Sequence, residues 1–160
     1  MLFLRYNTRE ERDWLKVEHY KIGYVAGVFD LFHIGHLNLI RRAKEHCDYL
    51  IAGVLEDELV QRFKNKLPYI PFEERIQIVE AIKYVDKAVR VDITNIDKMD
   101  AWRAFQFDCF FSGDDWKDSP SWIQDQLNLR EVGSDLQYFS YTKSTNSTEI
   151  RKLIQKDIES

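Results

Sequence analysis

The apolar positions of this chain change their period several times, and each change marks an element. Ile22–Ala26 is a short unbroken apolar run closed by Gly27, the form of a strand buried on both faces. Between Gly35 and His46, Leu37, Ile40 and Ala43 recur at helical spacing. Tyr49–Val54 is strand-like again, and a short acidic helix follows from Glu56. Pro71-Phe72-Glu73-Glu74 opens another helix, with proline at a tolerated early position and carboxylates near the positive end of the dipole. Ile76, Val79, Ile82 and Lys83 continue it. Then come a strand at Ala88–Val91, a helix at Met99–Phe105, a strand at Cys109–Phe111, a helix at Trp122–Leu127, a strand at Leu136–Phe139 and a last helix at Ser147–Ile158.

Strand runs that alternate with helices in this way predict an α/β domain of the Rossmann-like, doubly wound kind: a mainly parallel five-stranded sheet with helices on both faces. That domain is expected over residues 21–160. Residues 1–20 read as an N-terminal extension with a short helix through about Tyr20. Thr8 and Glu11 have the spacing of a capping box, and Trp14, Leu15 and Val17 are its candidate packing residues.

Composition narrows the class. With 160 residues, 44% of them hydrophobic and 31% charged, the chain is one folded domain rather than a disordered one. A net charge of -4 argues against a protein that coats nucleic acid, yet a few well-placed cations are enough for a small anion. Cys47 and Cys109 sit in apolar runs and are expected as free core thiols. No stretch approaches the ~20 apolar residues of a membrane span, and the first residues lack the apolar core of a signal peptide. The expectation is a cytoplasmic protein with no membrane partner.

The candidate chemistry lies in the loops that follow strands. Gly27-Val28-Phe29-Asp30-Leu31-Phe32-His33-Ile34-Gly35-His36 joins the first strand to its helix, where open α/β sheets bind ligands. Gly27 and Gly35 permit close backbone approach. His33 and His36 stand three apart at a helix N-terminus, whose free N–H groups and dipole favour a phosphate. Two other readings stay open for the pair: helix caps, or part of a metal site with Asp30, although such a site needs three or four ligands. Lys64 and Lys66 precede the Pro68–Pro71 segment. Ser112-Gly113-Asp114-Asp115-Trp116 follows another strand, with a glycine for close approach, two carboxylates and a flat aromatic wall. Tyr141-Thr142-Lys143-Ser144-Thr145-Asn146-Ser147-Thr148 leads into the last helix as caps or a second anion cradle.

These segments together resemble the HxGH nucleotidyltransferase superfamily, and within it the cytidylyltransferase branch, over about residues 22–155. The first matches G-T-F-D-L-x-H-x-G-H, with Val28 in place of threonine. The G-D-D-W string is similar to that of glycerol-3-phosphate cytidylyltransferases. The last segment corresponds to R-T-x-G-I-S-T-T, with Tyr141 at the arginine position, Ser144 at the glycine, and Lys143 beside them as a compensating charge. Glu73–Arg75 and Lys83–Asp86 fall where the branch has E-x-R and R-Y-V-D, a region that forms part of its homodimer interface.

The resemblance implies an enzyme that joins CMP from CTP to a small phosphorylated alcohol, glycerol 3-phosphate foremost, and releases pyrophosphate. His33, His36, Lys64 and Lys66 take the catalytic roles. Gly27, Val28, Phe29, Asp30 and Gly35 bind the nucleotide, as do Gly113, Asp114, Thr142, Lys143, Ser147 and Thr148. Asp30, Arg75, Asp115 and Trp116 face the acceptor, and Trp102 and Trp122 are further candidates for that pocket. Mg²⁺ rides on the triphosphate and the protein supplies no metal site of its own. The alternatives are phosphocholine or phosphoethanolamine as acceptor, adenylyl transfer to a vitamin phosphate, and a nucleotide-binding module without catalysis.

Overall fold

A computed structural model describes residues 18–140 and 146–160 of the chain. The strands are β1 (Tyr20–Gly27), β2 (Cys47–Leu55), β3 (Lys87–Val91), β4 (Cys109–Gly113) and β5 (Asp135–Phe139). The helices are α1 (Ile34–Glu45), α2 (Asp57–Lys64), α3 (Phe72–Glu80), α4 (Lys98–Phe105), α5 (Pro120–Glu131) and α6 (Ser147–Glu159). The five strands form one sheet in the order β3-β2-β1-β4-β5, and every pairing is parallel.

Double winding is visible in how neighbouring strand residues part company. Val25, Leu50 and Phe111 join Ile40 and Ala43 of α1 and Phe72 and Val79 of α3 in one core. Their chain neighbours Tyr24, Ile51 and Phe110 join Ala101 of α4 and Leu129 of α5 in the other. A strand buried on both faces has no polar side, which is why these runs are continuously apolar rather than alternating. Each fully buried side chain of this size contributes about 1.5–3 kcal/mol. Cys47 and Cys109 are buried, free members of the first core. Burial pushes the Cys47 thiol up to about 11 and raises that of Cys109 as well, so both are packing residues rather than nucleophiles.

Two boundaries differ from expectation. Residues 18–20 are not helical: Tyr20 already pairs with Cys47, and its hydroxyl donates to Glu18. The rest of the expected N-terminal helix lies outside the described residues. The helix opened by Pro71 ends at Glu80 instead of running on through Lys83. There the chain turns tightly, with the Ile82 and Val85 N–H groups donating to Val79 and Ile82, and the Asp86 N–H reaching Leu50. Ile82 and Val85 still pack on the core, so the apolar period outlasts the helix.

Candidate active site

The strand order places a crevice. From β1 the chain winds outward to β2 and β3, then returns to the other side of β1 for β4 and β5. The connections therefore diverge at the carboxyl ends of β1 and β4, where Gly27 and Gly113 stand, and such a switch point is where open α/β sheets bind ligands. A Cβ on Gly113 would meet nothing within 4 Å, so this glycine widens the crevice rather than serving the protein's own packing. A Cβ on Gly27 would lie 3.3 Å from the Phe29 ring, so Gly27 does serve that packing.

The turn after β1 is strained. Phe29 and Leu31 hold φ of 52° and 50°, a left-handed conformation that costs on the order of 1–3 kcal/mol at a non-glycine residue. Burial of the Phe29 ring, 3% exposed, offsets this. The consequence is that Asp30 points inward, 2% exposed, and accepts the N–H groups of Tyr69 and Ile70 at 2.9 Å each. It also pairs with Arg151 of α6. One carboxylate thus ties the signature turn, the loop after α2 and the last helix together.

The two histidines stack with ring centroids 3.8 Å apart. His33 caps α1: its Nδ1 accepts the Gly35 N–H at 3.0 Å, while His36 Nδ1 accepts the His33 N–H at 3.4 Å. Acceptance at Nδ1 assigns the proton of each neutral ring to Nε2. His33 Nε2 then donates to Ser147 Oγ at 3.1 Å, and Ser147 donates to the Asp30 carbonyl at 2.9 Å. Burial lowers both pKa values, that of His36 to about 3, with His33 adding to the effect, so the pair is neutral near pH 7. The cap reading and the donor reading of these residues are therefore compatible.

A cleft of about 640 Å³ opens between the N-termini of α1 and α6. His33, Gly35, His36, Ser147 and Thr148 line it, and Arg42 and Lys152 add positive charge. Arg42 lies over the Phe139 ring at 4.5 Å and donates to the Ser140 carbonyl. A second cleft of about 530 Å³ adjoins the first, with Gly113 and Asp115 common to both. Gly27, Val28, Lys64, Lys98, Trp116 and Trp122 line the second. Lys64 is an exposed residue, yet the protein around its ammonium partly desolvates it and pulls its pKa down, and the Lys66 and Arg151 charges pull the same way. Such a concentration of cations awaits an anion.

The predicted residues separate accordingly. His33, His36, Lys64, Gly27, Val28, Gly35, Gly113, Asp115, Trp116, Ser147 and Thr148 meet at the two clefts. Lys66 and Asp114 lie beside them without lining either. Thr142 and Lys143 lie outside the described residues. Four positions differ from expectation. Phe29 is a core side chain, and Asp30 is fully engaged within the protein. Arg75, expected at the acceptor, is 0% exposed: it donates to the carbonyls of Val28 and Ile70 and pairs with Asp57 at 2.6 Å. Trp102 packs on the second core instead of facing a cleft. Sequence reasoning missed Arg42, Lys98, Arg151 and Lys152. Arg151 had a usable signal, one helical turn beyond Ser147, whereas Arg42 and Lys98 had none apart from the fold.

Parallel topology, a crevice at the switch point and donors from two helix N-termini define a nucleotide-handling α/β protein of nucleotidyltransferase type. The chain belongs to the cytidylyltransferase-like family, whose model matches residues 24–153. It is 32% identical to a glycerol-3-phosphate cytidylyltransferase of Staphylococcus aureus over 79% of this chain and 89% of the relative. The corresponding protein of Bacillus subtilis is 33% identical over 80% and 92%. An FAD synthase of Thermococcus kodakarensis is 29% identical over 84% and 90%. Among solved structures, a lipopolysaccharide core biosynthesis protein from Thermoplasma volcanium shares the fold, with a TM-score of 0.63 and 23% identity over 79% of this chain and 99% of that one. No helix among the described residues is long and apolar enough to cross a membrane.

Proposed function

We propose that the protein transfers CMP from CTP to a small phosphorylated alcohol, glycerol 3-phosphate foremost, forming a CDP-alcohol and pyrophosphate. The observation that carries this reading is the convergence of two neutral imidazoles and Ser147 on a cleft that continues, past Gly113 and Asp115, into a second one, where a phosphate would take over the His33 N–H now given to Ser147. Two adjoining clefts suit two substrates that meet at one phosphorus.

In this reading the triphosphate lies against His33, His36, Lys64 and the N-terminus of α6. A phosphate oxygen of the acceptor attacks the α-phosphorus, the new P–O bond forms in line, and the bond to the β-phosphate oxygen breaks as pyrophosphate departs. The attacking phosphate is already ionised and needs no strong base. Catalysis comes from positioning and from fixed donors aimed at the growing charge, typically worth 10²–10³ in rate for one such donor. Mg²⁺ carried on the triphosphate would supply charge neutralisation for the departing pyrophosphate. Among the described residues no three His, Cys, Asp or Glu side chains are grouped to hold a metal, and Asp115 at the junction is the carboxylate available to the nucleotide's ion. A homodimer, implied by the resemblance, belongs to the same proposal.

The FAD synthase relatives favour a second reading, adenylyl transfer to a larger phosphate ester. Crossing CTP and ATP with glycerol 3-phosphate, phosphocholine and flavin mononucleotide, while following pyrophosphate, decides between them. Release with CTP and glycerol 3-phosphate supports the first reading. Release only with ATP and flavin mononucleotide replaces it with the second, and nucleotide binding without release from any pair refutes both.

A further inference from the structure

The second cleft carries a charge that no motif announces. Lys98 opens α4, directly after the loop from β3, and its side chain is 12% exposed. Its ammonium lies 3.6 Å from the centroid of the Trp122 ring and 5.9 Å from that of Phe110. Asp125 of α5 holds it at 2.7 Å. Of that pair Lys98 lines the cleft and Asp125 does not, so the acceptor meets the cation. An ammonium has three donors, and Asp125 occupies one of them.

We propose that Lys98 selects the acceptor by charge, admitting a phosphate ester whose far end is a neutral polyol or an anion and rejecting one that ends in an ammonium. The inference rests on the transferase reading for its choice of ligands. A cage for a quaternary ammonium needs free aromatic faces. Here the Trp122 face already carries the protein's own cation. Tyr24 is stacked between Phe105 and Phe107, with ring centroids 5.5 and 4.9 Å away, and offers no open face. Trp116 and Phe63 remain, but they are 60% and 62% exposed and stand at the rim. Asp115, the one carboxylate lining this cleft among the described residues, lies at the junction with the nucleotide cleft and not with Lys98 alone. A choline or aminoethyl group in this cleft would face a fixed positive charge of low exposure, whereas glycerol hydroxyls or a second phosphate would receive its free N–H donors.

Calorimetric titration of the protein loaded with a non-hydrolysable α,β-methylene CTP analogue tests this directly. Wild type is expected to bind glycerol 3-phosphate at least tenfold more tightly than phosphocholine. Lys98→Met combined with Asp125→Asn removes both charges, so that neither is left unpaired. It should weaken glycerol 3-phosphate at least tenfold and bring the two acceptors within about threefold of each other, with the affinity for the CTP analogue, which reports an intact fold, unchanged within about twofold. Lys98→Arg should keep the preference. Equal wild-type affinity for both acceptors, binding of neither, or a preference that survives the double variant overturns the inference. The wild-type comparison alone suffices should the double variant not fold. Selection of this kind without pyrophosphate release refutes the transferase reading and leaves the charge selection standing.

Discussion

Arg75 gives the sharpest separation between a residue that touches substrate and one that builds the site. Its family position suggests the acceptor, but its side chain is sealed among Val28, Asp57 and Ile70. Arg75→Met keeps most of the stem's packing and removes three bonds. Two carbonyls lose a buried donor, at about 1 kcal/mol each toward the low end for such groups. Asp57, 34% exposed, loses its ion pair, which adds about 2 kcal/mol, below the 3–5 kcal/mol typical of a fully buried pair. The total of about 4 kcal/mol predicts a fall in Tm of roughly 8–16 °C for a domain of this size. Thermal unfolding by circular dichroism measures it, and pyrophosphate release well below the new Tm measures what activity remains. The KM for the acceptor should rise no more than that for CTP, because Val28 and Ile70 hold the turn and the lysine loop that serve both clefts. A variant with Tm within about 2 °C of wild type and a KM raised for the acceptor alone would refute the buried-hub reasoning.

Two more outcomes follow from the charges around the triphosphate cleft. His36, brought from 6.5 to about 3 by burial, is easier to protonate unfolded than folded, so its contribution to stability is present above pH 6.5 and is lost as pH falls toward 3. By pH 5 the loss is about 2 kcal/mol; urea unfolding of His36→Gln should show that much less acid sensitivity between pH 7 and pH 5, and an equal loss in both proteins contradicts the assignment. Lys64→Ala should lower kcat/KM for CTP about a hundredfold while moving Tm by no more than about 2 °C, since the side chain is exposed; an unchanged kcat/KM in steady-state assays places the triphosphate elsewhere.

Much of this architecture is legible because a parallel sheet covered on both faces leaves unbroken apolar strands, and the five apolar runs fall within a few residues of the strand bounds. The signature turn was legible too, since glycine and histidine at fixed spacing have few other uses. Less legible was which side of the chain each turn residue faces. Asp30 and Arg75 are polar residues at motif positions, and motif spacing does not distinguish a carboxylate that meets a ligand from one that meets Tyr69, Ile70 and Arg151. Only the left-handed φ at Phe29 and Leu31 turns Asp30 inward, and nothing in those two residue types announces it. Lys98 is silent in the sequence for a related reason: its meaning depends on Trp122 and Asp125, 24 and 27 residues further on and brought beside it by the packing of α5 on α4.

The central claim is that His33 and His36 act on the transition state at the α-phosphorus and not merely as caps of α1. Single-turnover CMP transfer by His36→Ala, at saturating CTP and glycerol 3-phosphate, tests it most directly. The account predicts a rate lowered about 10²–10³-fold, with the dissociation constant for CTP changed less than about tenfold. A variant that keeps the wild-type rate once saturated, or loses only CTP affinity, would contradict it.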